Sequence, residues 1–178
     1  MSLRDFFNSL LSYSYSYSPR FSDRNYGDTA SDKYSPEDAG WRLLAKNKPR
    51  KALNIFSKQA QRNQKDGAFK VGYALSMAML GNLNKATWAM RRAFRVDPES
   101  LHYIDFKHSL KSRMHRLIKK YEQRLDTAGY QSDAAFMIAA LHYLLHDNDR
   151  AYRAIKRATD AHDNALSTKN LYRLIRPG

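Results

Sequence analysis

Apolar residues return every three or four positions through most of this chain, and polar turn residues interrupt the rhythm at intervals. From Phe106 the steps run through Leu110, Met114, Leu117, Ile118, Tyr121 and Leu125, which predicts one long amphipathic helix ended at Gly129. Residues 67–100 read as two helices, with Gly81-Asn82 as the turn and Asp97-Pro98 closing the unit. Upstream, Ser35-Pro36-Glu37-Asp38 sets a capping serine, a first-turn proline and two acids at a helix start. That helix should reach about Lys46. Asn47-Lys48-Pro49 breaks it, and Pro49 opens a second helix to about Arg62. Residues 132–165 give two more helices, turning at His146-Asp147-Asn148. Ser167 is expected to cap a short last helix holding Leu171, Leu174 and Ile175. The LHYIDFKH stretch at 101–108 is too short and mixed for a full helix, and no clear strand is found.

The first thirty residues follow another pattern. Leu3, Phe6, Phe7, Leu10 and Leu11 stand at helical spacing, so 3–11 reads as a short helix with one apolar face. Alone it would be marginal, because isolated helices need about 12–15 residues. The SYSYSYS run at 12–18 opens a polar linker to residue 32. The expected organisation is a segment 1–32 and a helical domain 33–178.

Aligning the turns gives a period of 34. Gly40, Ala74 and Ala139 fall at the eighth place of units starting at Lys33, Gly67 and Ser132. Ala52, Ala86 and Ala151 fall at the twentieth, and Phe56, Met90 and Ile155 at the twenty-fourth. Small side chains let paired helices approach, and a bulky one fills the hollow between pairs. No pair buries its apolar face alone, so neighbours must stack.

The pattern resembles the tetratricopeptide repeat (TPR) family over residues 33–100 and 132–165, with 101–131 as a degenerate unit. The best unit, 67–100, has Ala74, Gly81, Ala86, Ala93 and Pro98 in place. The resemblance implies an all-α fold: a right-handed α-solenoid of antiparallel helix pairs, three TPR-like units, the degenerate unit and a C-terminal capping helix. It implies a concave groove for peptides or protein segments, and no catalytic activity. The groove would be lined by the first helix of each pair. Here that means Tyr34, Trp41 and Leu44, then Val71, Leu75 and Met79, then Phe136, Ala140 and Tyr143. Chaperone-tail-binding members use Lys, Arg and Asn to clamp a terminal carboxylate; Glu37 and Trp41 stand where Lys and Asn would be needed, which argues against that activity. An apolar groove suits an amphipathic helix or an apolar peptide. Alternatively it is filled from within, by residues 3–11 or by the long helix near 106–125, or it is buried in a homodimer.

Charge adds a second reading. Lys plus Arg number 31 against 17 Asp plus Glu, a net charge of +14 that favours acidic partners. Lys51, Lys85 and Arg150 share the nineteenth place, and Lys58, Arg92 and Arg157 the twenty-sixth. Seven residues is two helical turns, so both rows lie on one outer face, and Arg91 thickens it. Such a basic ridge could bind RNA or DNA through phosphates without sequence preference. The leading expectation is a non-enzymatic adaptor or scaffold with a protein or peptide partner. The alternative is an RNA- or ribosome-associated helical-repeat protein. Attachment to a membrane surface through residues 3–11 is a weaker third.

Catalytic and metal chemistry find little support. The chain has no cysteine. His142 and His146 lie four apart on a helix but have no Glu between them, so a packed pair is expected rather than a ligand pair. No glycine-rich phosphate loop follows a strand, and no nucleophile–base spacing is legible. No enzyme, metal or cofactor is expected. No apolar run reaches the ~18–20 residues of a membrane span, and a cytoplasmic location is expected.

Overall fold

The computed structural model describes residues 36–176. The expected segment 1–32, with its helix at 3–11, and the groove residue Tyr34 and cap Ser35 lie outside the described residues. Among the described residues there are eight α-helices and no strand: α1 Pro36–Ala45, α2 Pro49–Arg62, α3 Gly67–Met79, α4 Leu83–Val96, α5 His108–Glu122, α6 Gln131–Leu144, α7 Asn148–Asp160 and α8 Leu166–Ile175. A 3₁₀ turn, Ser100–Tyr103, sits between α4 and α5. None of these helices is long and apolar enough to cross a membrane.

The turns explain why the breaks fall where they do. Asn47, Gly81 and His146 take left-handed backbone, with φ of 58°, 87° and 61°. In each case the next N–H donates to a carbonyl five residues back: Lys48 to Leu43 at 2.8 Å, Asn82 to Met77 at 3.0 Å, Asp147 to His142 at 2.9 Å. This closure uses up the orphan carbonyls of a helix end. Glycine takes it freely, and Asn and His tolerate it better than most residues. All three stand at the fifteenth place of the aligned units. The next helix is then started by Pro49, by the Asn82 side chain accepting from the Lys85 N–H at 3.3 Å, or by Asp147 accepting from the Arg150 N–H at 3.2 Å. At the start of α3, Asp66 accepts from the N–H groups of Ala68 and Phe69.

Packing follows the small-and-bulky places. α1 packs on α2, α2 on α3, α3 on α4, and α6 on α7. Ala52, Ala86 and Ala151 are fully buried, and so are Phe56, Met90 and Ile155. Phe56 shows why the eighth place must be small. A Cβ added to Gly40 would come within 2.6 Å of the Phe56 ring, and one added to Gly72 closer still. Glycine on α1 and on α3 thus lets both helices close on one aromatic ring.

Two helices differ from expectation. α5 ends at Glu122, short of Gly129: the Arg124 and Leu125 N–H groups donate three residues back, to Tyr121 and Glu122, and tighten the chain into turns. α8 starts at Leu166 with no side-chain cap from its flanking residue. Ser167 lies inside the helix. The Asp163 carboxylate accepts the Ala165 N–H at 3.1 Å instead.

Candidate functional site

The expected groove lining is covered. Leu44, Val71, Leu75, Phe136 and Ala140 are fully buried, Tyr143 is 3% exposed, and Trp41 and Met79 are half-buried. The 101–121 stretch packs over part of this lining. α5 packs on α1, α3 and α6, and the 3₁₀ turn packs on α3 and α6. Phe106 meets Trp41 edge-on at 5.3 Å, and His102 lies 6.0 Å from the Tyr143 ring. Phe136 does not face this side at all. It packs against Phe94 at 5.9 Å and under the Arg91 guanidinium at 4.3 Å. Of the open and filled alternatives, the contacts favour filling by the long helix near 106–125: the apolar face of α5 needs a place out of water, and α1, α3 and α6 supply it.

α5 is amphipathic in a particular way. Leu110, Met114, Leu117, Ile118 and Tyr121 are buried, and the Tyr121 hydroxyl donates to the Leu83 carbonyl at 3.1 Å. Burial pushes that phenol up to about 12, so it stays a neutral donor. The opposite stripe holds His108, His115, Arg116, Lys119 and Lys120, all exposed. Lys111 lies 3.7 Å from Asp105, and Arg113 reaches the Ala45 carbonyl at the end of α1 at 3.5 Å. Arg124 donates to Asn84 at 2.8 Å and lies over Tyr130 at 4.9 Å. Arg116, Lys119 and Lys120 have no carboxylate within ion-pair distance among the described residues.

The basic ridge of the second helices is only partly a surface. Lys51 and Lys58 on α2 are exposed, as are Arg150 and Arg157 on α7; Arg150 also lies 3.4 Å from Asp147. Lys85 on α4 is half-buried. The ridge is not continuous, because α8 packs against both α4 and α7. Arg91 is half-buried and tied to other side chains. It donates to Asp163 at 2.6 Å, Asp133 at 2.9 Å, Thr168 at 3.0 Å and Ser167 at 3.3 Å. Burial pushes the Asp163 carboxyl up, but hydrogen bonds from Arg91, Ala165 and Ser132, with the Arg91 charge, hold it below the usual range. Arg92 is half-buried over Trp88 at 5.8 Å, and its enclosed Nε finds no hydrogen-bond partner among the described residues. Desolvation, then the nearby Arg95 charge, lowers its pKa.

Lys70 is a structural cation that periodicity did not single out. It is 5% exposed, and its ammonium donates to the carbonyls of Gln64 at 2.6 Å and Asp66 at 2.9 Å, with Asn63 at 3.5 Å. A lone lysine in the apolar run GAFKVGYAL was the available signal. Burial and then the Arg92 charge pull its pKa down.

His142 and His146 do not converge. His142 is buried, whereas His146 sits exposed in the turn, 4.8 Å from the His102 ring. His142 Nδ1 lies 3.5 Å from the Asp147 carboxylate without forming a hydrogen bond. Desolvation outweighs that carboxylate and lowers the pKa, so the ring is neutral and this is no ion pair at neutral pH. Among the described residues no three His, Cys, Asp or Glu side chains group as a metal site. No family model matches this chain, and no curated protein or solved structure matches it. Of its own surfaces, the outer stripe of α5 is exposed and carries cations with no carboxylate within ion-pair distance among the described residues.

Proposed function

We propose that this chain is a non-enzymatic helical-repeat module of the cytoplasm that binds RNA through phosphates. One observation carries the reading. α5 packs one face onto α1, α3 and α6 and presents Arg116, Lys119 and Lys120, unpaired among the described residues, with the other. The helical-repeat part is supported by the recurrent left-handed turn at Asn47, Gly81 and His146 and by the matching buried places. Lys51, Lys58 and Arg157 add exposed charge on α2 and α7.

The adaptor reading asks for more. A peptide in the concave side would have to displace 101–121 and expose Phe106, Leu110, Met114, Leu117 and Tyr121. At roughly 1.5–3 kcal/mol for each such side chain, the cost approaches the ~5–15 kcal/mol that holds a whole domain folded. Charge on a closed surface needs no such opening. The test is Arg116→Glu with Lys119→Glu and Lys120→Glu, assayed on fluorescent RNA across a salt series. The expected result is at least a tenfold loss of affinity and a shallower salt dependence, since each lost phosphate contact on a single strand removes about 0.7 from the log–log slope. Unchanged affinity and slope would sink the proposal.

A further inference from the structure

The α7–α8 face carries a pair of half-buried tyrosines that pack against the edge of the core. α7 buries Ala151, Ala154, Ile155 and Ala158, while α8 buries Leu171 and Ile175. Tyr152 and Tyr172 stay half-exposed beside these, with ring centroids 5.8 Å apart and planes tilted by 37°. Every other aromatic pair among the described residues meets at 50° or more. Edge-on contacts turn ring faces into neighbours. With planes 37° apart, these two rings come nearer to sharing one orientation than the edge-on pairs do, the arrangement a stacked base can use.

Cations flank the pair. Lys156 lies one helical turn beyond Tyr152, and Arg176 lies one turn's spacing beyond Tyr172, just past the end of α8. Lys169 lies one turn before Tyr172, and all three cations are exposed. Hydrogen bonding and charge from Tyr152 raise the Tyr172 pKa, while Arg176 and Lys156 are close enough to oppose that rise. We propose that Tyr152 and Tyr172 form a stacking platform for the bases of single-stranded RNA, with Lys156, Lys169 and Arg176 holding the backbone on either side. The proposal rests on the RNA reading above and names the form of RNA bound. A duplex keeps its bases stacked on each other and offers the rings nothing, so the platform discriminates single strands from duplexes.

The experiment uses the full chain, a fluorescent single-stranded U12 oligonucleotide and a blunt 12-base-pair RNA duplex, with anisotropy at low and physiological salt. Tyr152→Ala with Tyr172→Ala should weaken U12 binding about 10- to 100-fold, with little change for the duplex and none in the salt slope. Tyr152→Phe with Tyr172→Phe keeps the rings and should bind U12 within about twofold of wild type. The platform is overturned if the alanine pair binds U12 like wild type, if it loses duplex binding equally, or if the phenylalanine pair fails alongside it. It is also overturned if a polyglutamate peptide displaces U12 as well as unlabelled U12 does, which would reduce the face to bare charge. If wild type binds neither RNA, the RNA reading falls and takes the platform with it. If reversing the α5 charges weakens U12 binding and removing the tyrosine rings does not, the RNA reading stands and the platform alone falls.

Discussion

α4 and α5 are both rich in cations, and they use them in opposite ways. α4 packs against α3, α6 and α8, and its Arg91 meets α6 and α8, although Arg95 stays exposed. Arg91 is bound by two aspartates and two hydroxyls, and Arg92 is half-enclosed. α5 packs mainly through its apolar face, onto α1, α3 and α6, with Arg113 reaching the end of α1, and Arg116, Lys119 and Lys120 remain in water. A row of basic residues in a sequence is therefore not yet an interface. How many sides of its helix are packed decides whether a cation holds the fold or meets a partner.

Arg91→Ala should break this contrast hardest. It leaves Asp163, with a side chain only 6% exposed, without its charged partner, and it uncovers Phe136. Loss of a buried charge partner costs about 3 kcal/mol, or roughly 6–12 °C in melting temperature for a domain of this size. Circular dichroism melting measures it. RNA affinity of the folded variant should not change, whereas the α5 charge reversals should weaken binding and move stability by less than about 0.5 kcal/mol. If Arg91→Ala instead melts like wild type and binds RNA poorly, the two helices are alike and the contrast fails.

Lys70→Met extends the comparison to a cation held by carbonyls rather than carboxylates. The Gln64 and Asp66 carbonyls lose their donor, for a cost of about 2 kcal/mol. The expected readout is a lower urea midpoint at constant slope. An unchanged midpoint would mean that the α2–α3 turn holds itself.

The smallest effect concerns His142, which faces His115 and Glu122 of α5 and Asp147 and Arg150 of the α6–α7 turn and α7. Its folded-state pKa lies below the ordinary 6.5, so the unfolded chain takes up the proton first. Its contribution is fully present above about pH 6.5 and is lost as pH falls from there through the lowered folded value. Melting temperatures between pH 7.5 and 5 should fall less in His142→Leu than in wild type. Parallel curves would show that this ring does not titrate on unfolding.

Much of the fold was legible because it repeats. Gly40, Ala74 and Ala139 at one place, and Phe56, Met90 and Ile155 at another, state the packing rule three times, and all six are buried. The groove was less legible, since periodicity shows that Leu75 or Tyr143 is apolar but not what covers it. Filling by the long helix near 106–125 was one alternative among several, and only the contacts of α5 distinguish it. Arg91 thickens the basic ridge beside the spaced rows, but its partners Asp133 and Asp163 are 42 and 72 residues away. Ser167 looked like a cap and became a ligand of that same arginine. Tyr152 and Tyr172 lie on different helices, and no spacing rule joins them.

Phe56 between Gly40 and Gly72 has a consequence for how such a chain can diverge. A methyl gained at either glycine overlaps the ring, so a single change there is disfavoured by overpacking of about 1–3 kcal/mol. A smaller residue at Phe56 would free both glycines at once, at the cost of a cavity until they grow to fill it. Positions 40, 56 and 72 are thus expected to drift together across descendants of this sequence, as a compensated triplet rather than as three independent sites.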